Sequence, residues 1–221
     1  MAASCAARSR LFGPGLMVVT SAGLLGCRGH REVAAAAILG GADAVQLRAP
    51  RLPDRDLLPL AADLALACHA AGVLLIVNDR LEVAVAVGAD GVHLGQDDEP
   101  DRAEALLRPG MMLGVSVENP EQARRAARFG ASYLSVTVWA TATKPGARPA
   151  GLAGLCAVCA ATSLPVMGIG GIGPGNAAQV LAAGARGIAV VSAVGAAPDM
   201  VAATRALAAV LRRSRATGNR R

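Results

Sequence analysis

Lys144 is the one lysine among 22 basic side chains, and it stands in Val138-Trp139-Ala140-Thr141-Ala142-Thr143-Lys144-Pro145-Gly146. Two threonine hydroxyls and a compact ammonium at such close spacing can hold a phosphate. On spacing alone, a solvated loop competes with that reading. A second candidate is Gly168-Ile169-Gly170-Gly171-Ile172, with Pro174 expected to open a helix. Glycines there admit close backbone approach, and N–H groups near a helix start attract anions. Val191-Ser192, after the next apolar run, is expected to complete the same cradle. Asp79 and Asp98 are hard carboxylates that suit a Mg²⁺ ion gripping a diphosphate, with Asp97 competing for the second place. Gln46 and Arg48 lie two apart, so they project to one face of a strand. An Arg in a cavity mouth needs an anion, because an unpaired buried charge is costly. Asn78 and Ser116 are further polar groups at the ends of apolar runs. His93 shares its run with apolar neighbours and reads as packed or hydrogen-bonded rather than catalytic.

The elements that position these groups follow from a repeat. Gly-Ala, two small or polar residues and an apolar run recur at Gly41, Gly88, Gly130 and Gly184, spaced 47, 42 and 54 residues apart. Each glycine ends a helix-like stretch, where a left-handed C′ residue is needed. The period is too long for one strand–helix unit and suits two. Apolar runs begin near Leu16, Ala44, Val73, Asp90, Met112, Tyr133, Pro165 and Gly187, the pattern of parallel strands covered on both faces. Helical stretches are expected at about 31–39, 54–71, 80–87, 101–108, 119–129, 151–161, 174–183 and 198–212. Asn119-Pro120 has the form of an N-cap followed by Pro at N1. Eight strands alternating with eight helices predict an α/β fold, a single-domain (β/α)₈ TIM barrel over residues 16–211. An open doubly wound sheet is the alternative. Residues 1–15 read as a disordered lead-in and 212–221 as a basic tail. Every candidate group falls at a strand's carboxyl end, where such barrels build their sites.

Composition narrows the function. Seven arginines lie in the two terminal segments without an acid among them, so the net charge of +6 becomes −1 for the body. No nucleic-acid face is expected, and no apolar run approaches the roughly 18 residues of a membrane span. The lead-in lacks the apolar core of a secretion signal, which predicts a cytoplasmic protein. Five cysteines do not make a disulfide framework there, and Cys156-x-x-Cys159 reads as buried small hydrophobes on a helix. Three histidines make a zinc site improbable.

Taken in order, Gln46-Leu47-Arg48, Val77-Asn78-Asp79-Arg80, Gly91-Val92-His93-Leu94-Gly95-Gln96-Asp97-Asp98, Gly114-Val115-Ser116, Thr141-Ala142-Thr143-Lys144-Pro145, Ile169-Gly170-Gly171-Ile172 with Asn176, and Val190-Val191-Ser192-Ala193 resemble the thiamine-phosphate synthase and TenI family. The match covers about residues 16–210. It implies a Mg-dependent transferase of thiamine biosynthesis that joins a hydroxymethylpyrimidine diphosphate to a thiazole phosphate and releases pyrophosphate. It also implies Mg²⁺ on Asp79 and Asp98, with Arg48, Asn78, Ser116 and Lys144 around the diphosphate and Gln46 facing the pyrimidine. Thr141, Thr143, Gly171 and Ser192 would hold the thiazole phosphate, with Gly170 and Val191 in the same cradle. Arg48, Ser116 and Lys144 would be the catalytic set. The implied partners are the two phosphorylated small molecules, not nucleic acid or membrane, and a homo-oligomer stays open. Two departures stand out: Pro50 replaces a family lysine two residues past Arg48, and Ser21 replaces an acid after the first strand. A TenI-like thiazole tautomerase paralogue and a non-catalytic phosphate-binding barrel are therefore the alternatives.

Overall fold

The apolar runs become eight strands: β1 (Gly15–Thr20), β2 (Ala44–Leu47), β3 (Leu74–Asn78), β4 (Gly91–Leu94), β5 (Met112–Ser116), β6 (Tyr133–Thr137), β7 (Val166–Ile169) and β8 (Gly187–Val190). In this computed structural model, which describes residues 12, 15–95, 106–141 and 148–218, they pair in parallel and in chain order, and β8 returns to β1. The barrel is closed, so the open-sheet alternative does not apply. The helices are α1 (His30–Gly40), α2 (Asp54–Ala70), α3 (Leu81–Ala86), α4 (Pro120–Arg128), α5 (Gly151–Ala160), α6 (Ala177–Ala182), the short α7 (Ser192–Gly195) and α8 (Met200–Gly218). Most of the helix expected at 101–108 lies outside the described residues. The extra α7 directly after β8 was not anticipated.

Two apolar layers result from the strand period of two. Outward residues such as Leu16, Val45, Leu75, Leu113 and Ile188 pack under the helices. Inward residues, among them Met17, Leu74, Ile76, Met112, Tyr133 and Met167, fill the barrel. With aromatics at 2% of the chain, thioethers and branched aliphatics do most of that filling, and Tyr133 is the bulky exception.

The repeat has a structural meaning at the amino ends of the strands. Gly41, Gly88, Gly130 and Gly184 have φ of 85, 66, 75 and 103°, the left-handed turn that stops the preceding helix. The residue two places on then reaches back to the preceding strand. The N–H groups of Asp43, Asp90, Ser132 and Arg186 donate to the carbonyls of Leu16, Leu75, Leu113 and Val166 at 2.7–2.9 Å. In three of the four, the side chain closes the loop. Leu16 N–H donates to the Asp43 carboxylate (3.0 Å), Leu75 N–H to Asp90 (2.9 Å) and Leu113 N–H to the Ser132 hydroxyl (3.1 Å). Each clasp joins β1 to β2, β3 to β4 or β5 to β6, which is why the period spans two strand–helix units.

Local expectations held at α4, where the Asn119 side chain accepts from Gln122 N–H at 3.0 Å and Pro120 is at N1. They failed at α6, which starts at Ala177 rather than at Pro174. Asn176 is why: its side-chain Oδ1 accepts from Gly173 N–H (2.8 Å) and its Nδ2 donates to Gly171 O (2.9 Å), tying residues 171–176 into a turn before the helix can begin. Cys156 also corrects the sequence reading. It is exposed and Cys159 half-buried, because that face of α5 turns away from the barrel, whereas Cys27 and Cys68 are buried. Among the described residues, no helix is long and apolar enough to cross a membrane.

Candidate active site at the carboxyl ends of the strands

A cleft of about 220 Å³ opens at the carboxyl end of the barrel. Its floor is apolar, built from Met17, Val19, Tyr133, Met167 and Ile169, the inward residues of β1, β6 and β7. Gln46, Arg48, Asn78, Asp79 and Ser116 rise from the ends of β2, β3 and β5 along its wall. A second lobe of about 450 Å³ adjoins it, sharing Thr141, Gly170, Ala189 and Val191, and is lined by Gly171, Gly173, Asn176 and Ser192. The two lobes differ in construction. The first presents side chains, including a guanidinium and a carboxylate. The second presents backbone, from the glycine turn after β7 and the start of α7 after β8, where phosphate sites of such barrels lie.

Local geometry supports each lobe. Gly170 and Gly171 have φ of 91 and 65°. A Cβ on Gly170 would come within 2.7 Å of the Trp139 carbonyl oxygen, so the close approach of this turn to the loop after β6 requires glycine. On the other side, Asp79 is the one non-glycine residue with positive φ (61°) among the described residues. An aspartate tolerates this left-handed region better than most residues, at a cost of about 1 kcal/mol. The Asp79 N–H donates to His93 O (2.9 Å), which pins the bend at the cleft mouth, and the side chain is exposed.

Arg48 is braced from β1. Its N–H donates to the Thr20 hydroxyl at 3.3 Å, and Thr20, fully buried, is 2.7 Å from His30 Nδ1. Burial lowers the pKa of His30, which favours the neutral ring as acceptor for the Thr20 proton.

Behind the first lobe, His93 bridges three hydroxyls. Its Nδ1 lies 3.0 Å from Tyr133 Oη, and its Nε2 lies 3.0 Å from Ser116 Oγ and 3.3 Å from Ser135 Oγ. Burial pushes the Tyr133 phenol well above its ordinary value, so it stays protonated. The reading of His93 as hydrogen-bonded agrees with this arrangement, but its place beside the cleft was not foreseen. Tyr133 and Ser135 were missed altogether. Their signal was available, since Tyr133, Ser135 and Thr137 alternate along β6 and all three line the cleft.

Of the residues expected from sequence, Gln46, Arg48, Asn78, Asp79, Ser116, Thr141, Gly170 and Val191 line the cleft, and Gly171 and Ser192 line the adjoining lobe. Asp97, Asp98, Thr143 and Lys144 lie outside the described residues. Pro50 is exposed in the turn after β2, and Ser21 is buried. For a divalent cation, Asp79 offers a hard carboxylate at the mouth, which fits Mg²⁺ as a partner to phosphate oxygens. Among the described residues no three His, Cys, Asp or Glu side chains cluster as a protein-only cage.

The family model described as thiamine monophosphate synthase matches residues 16–194. The chain is 51% identical over 198 residues to the thiamine-phosphate synthase of Chloroflexus aurantiacus, covering 89% of this chain and 92% of that one. It is 50% identical over 193 residues to the enzyme of the same name from Roseiflexus castenholzii, covering 86% and 85%. Among solved structures, the thiamine phosphate pyrophosphorylase of Pyrococcus furiosus superposes with a TM-score of 0.84 at 36% identity, over 91% of this chain and 97% of that one.

Proposed function

The chain belongs to the thiamine monophosphate synthase family, and we propose that its two-lobed site joins hydroxymethylpyrimidine diphosphate to thiazole phosphate, releasing pyrophosphate. It is a transferase of thiamine biosynthesis that acts on phosphorylated small molecules. The observation that carries the two-substrate reading is the shared wall: Thr141, Gly170 and Val191 face both lobes, so a ligand in one lies against a ligand in the other.

In the reaction, the bond between the pyrimidine methylene carbon and the diphosphate oxygen breaks, and its electron pair leaves with pyrophosphate. The lone pair of the thiazole nitrogen forms the new carbon–nitrogen bond to the methylene. No proton has to be removed at either reacting atom, which suits a site with no tuned general base. What the protein must supply is charge for the leaving group and a fixed approach for the nitrogen. We assign the first task to Arg48, Ser116 and Lys144, with Asn78 beside them. Gln46, buried at 5% exposure on β2, would read the pyrimidine edge. Thr141, Thr143, Gly171 and Ser192, with the backbone of Gly170 and Val191, would hold the thiazole phosphate. The apolar floor keeps water from the cationic methylene.

Asp79 with Asp98 would hold Mg²⁺, which when bound neutralises diphosphate oxygens as a Lewis acid. The exposed Pro50 leaves the strand-two side without a lysine, so Arg48 and Lys144 carry a larger share of the anion's charge. The free cysteines Cys27, Cys68, Cys156 and Cys159 fit a reducing compartment, and we place the reaction in the cytoplasm. Purified protein given both substrates and Mg²⁺ should form thiamine phosphate and pyrophosphate in equal amounts. Isomerisation of the thiazole phosphate alone would instead assign a TenI-like tautomerase, and binding without turnover a phosphate-binding barrel.

A further inference from the structure

Two side chains from non-adjacent strands meet inside the barrel across a third strand. In the strand register His93 on β4 pairs with Gly114 on β5, and Gly114 pairs with Tyr133 on β6. A Cβ on Gly114 would fall within the van der Waals envelope of Tyr133 Oη and His93 Nδ1. The glycine therefore leaves the gap through which the 3.0 Å Tyr133–His93 hydrogen bond passes. A close-packed barrel does not hold such an opening without consequence.

The bond has a direction. Tyr133 is 1% exposed, and among the described residues His93 is the hydrogen-bond partner of its phenol. If Nδ1 carried the ring proton and donated, the phenol proton would be buried without an acceptor, at a cost of about 1–3 kcal/mol. The phenol therefore donates to Nδ1, and the single ring proton sits on Nε2. Nε2–H faces Ser116 Oγ at 3.0 Å and Ser135 Oγ at 3.3 Å, and the two hydroxyls are 3.3 Å apart. The shorter contact makes Ser116 the acceptor of Nε2–H, while Ser135, which lines the same cleft, lies farther from the ring. Ser116 then accepts from behind, and its own proton is left for the cleft that it lines.

We propose that Tyr133 and His93 are positioning residues that fix the polarity of Ser116, so that its hydroxyl donates to the leaving diphosphate rather than accepting from another group. The inference deepens the synthase reading and rests on it for the identity of the acceptor. In a serine protease, the wrong tautomer of an orienting histidine costs about 10⁴-fold. Here the histidine acts through a serine and moves no proton of its own, so the loss is smaller, roughly 10-fold in kcat.

The test starts with the resting wild-type enzyme, labelled with ¹⁵N in its histidines. Long-range ring correlations are expected to show His93 with one proton, on Nε2. A ring proton on Nδ1 overturns the proposal whatever the variants do. In Tyr133→Phe, which removes only the hydroxyl, the His93 signals should shift toward a mixture of tautomers. Its kcat should fall roughly 10-fold while KM for the pyrimidine diphosphate stays within about 2-fold. His93→Gln can place an N–H where Nε2–H stood, and His93→Asn cannot, so kcat of the Gln variant should exceed that of the Asn variant roughly 10-fold. Equal rates for the two would overturn the proposal, as would a kcat for Tyr133→Phe matching that of wild type. Wild-type turnover is measured alongside. Its absence would count against the synthase reading, while the tautomer still decides the geometry at His93.

Discussion

The two ends of this barrel carry polar side chains of the same kinds and use them in opposite ways. At the amino ends, Asp43, Asp90 and Ser132 each accept an N–H from the neighbouring strand. At the carboxyl ends, Arg48, Asn78, Asp79, Ser116 and Ser192 line an open space. The amino-end groups recur at a regular period, and the carboxyl-end groups do not repeat at all. A regular arrangement suits a task that is the same at each pair of strands, which is to close the sheet. An irregular one suits a ligand that has no symmetry. Stability and chemistry are thus separated along the barrel axis, and substitutions at the two ends should be separable by measurement.

The strongest break should come at the carboxyl end. Lys144→Ala is expected to lower kcat roughly 10²-fold or more, if its ammonium stabilises the leaving group. Steady-state kinetics check this, and urea unfolding should stay within about 0.5 kcal/mol of wild type. An unchanged rate removes Lys144 from the catalytic set. At the amino end the pattern should invert. Asp90→Ala leaves the buried Leu75 N–H without its carboxylate and also loses the contact with His69. The expected cost is about 1–3 kcal/mol in unfolding free energy, with kcat within about 2-fold of wild type. A rate loss as large as that of Lys144→Ala would mean the two ends are coupled.

A smaller effect sharpens the contrast within the site. In Gly171→Ala the methyl must sit at φ of 65° and 3.1 Å from Trp139 Cβ. KM for the thiazole phosphate should rise roughly 5-fold, since about 1 kcal/mol of left-handed strain falls on the cradle. KM for the pyrimidine diphosphate should not follow it. The smallest effect is one of pH. Burial lowers the pKa of His30 below its ordinary 6.5, so the unfolded chain takes up the proton first as pH falls. The stability from this group is complete above about 6.5 and declines on acidification until the folded-state value is passed. Unfolding measured along a pH series should show a shallower acid limb in His30→Asn.

The sequence alone made most of the fold legible, for physical reasons visible at particular residues. Parallel strands must be apolar on both faces, so the run Leu74-Leu75-Ile76-Val77 stands out without any context. Helix ends that need a left-handed residue select glycine, so Gly41, Gly88, Gly130 and Gly184 punctuate the chain. The site was legible in part, because polar groups at strand ends are conspicuous against apolar runs. Some of the positions misread depended on packing against partners distant in sequence, and one on the use of a nearby side chain. Tyr133 looked like one more apolar residue starting β6 until His93, 40 positions away, met its hydroxyl. Pro174 looked like a helix start because residue types alone do not say that Asn176, two positions on, commits its side chain to Gly173 and Gly171 in the turn. Cys156 and Cys159 share a helix, and only the packing of α5 tells which face is covered.

The amino-end clasps bear on how the chain can be taken apart and rejoined. Each lies within one pair of strands, and across the seams between pairs the amino ends are joined by backbone bonds, such as Leu74 N–H to Asp43 O and Met112 N–H to Asp90 O. The barrel is in this sense modular, assembled from four strand pairs, three of which carry their own side-chain fastening. Two fragments divided between β4 and β5 would keep both β1–β2 and β3–β4 clasps on one side and the β5–β6 clasp on the other. They are the natural halves for a split form of the protein that reassembles when mixed.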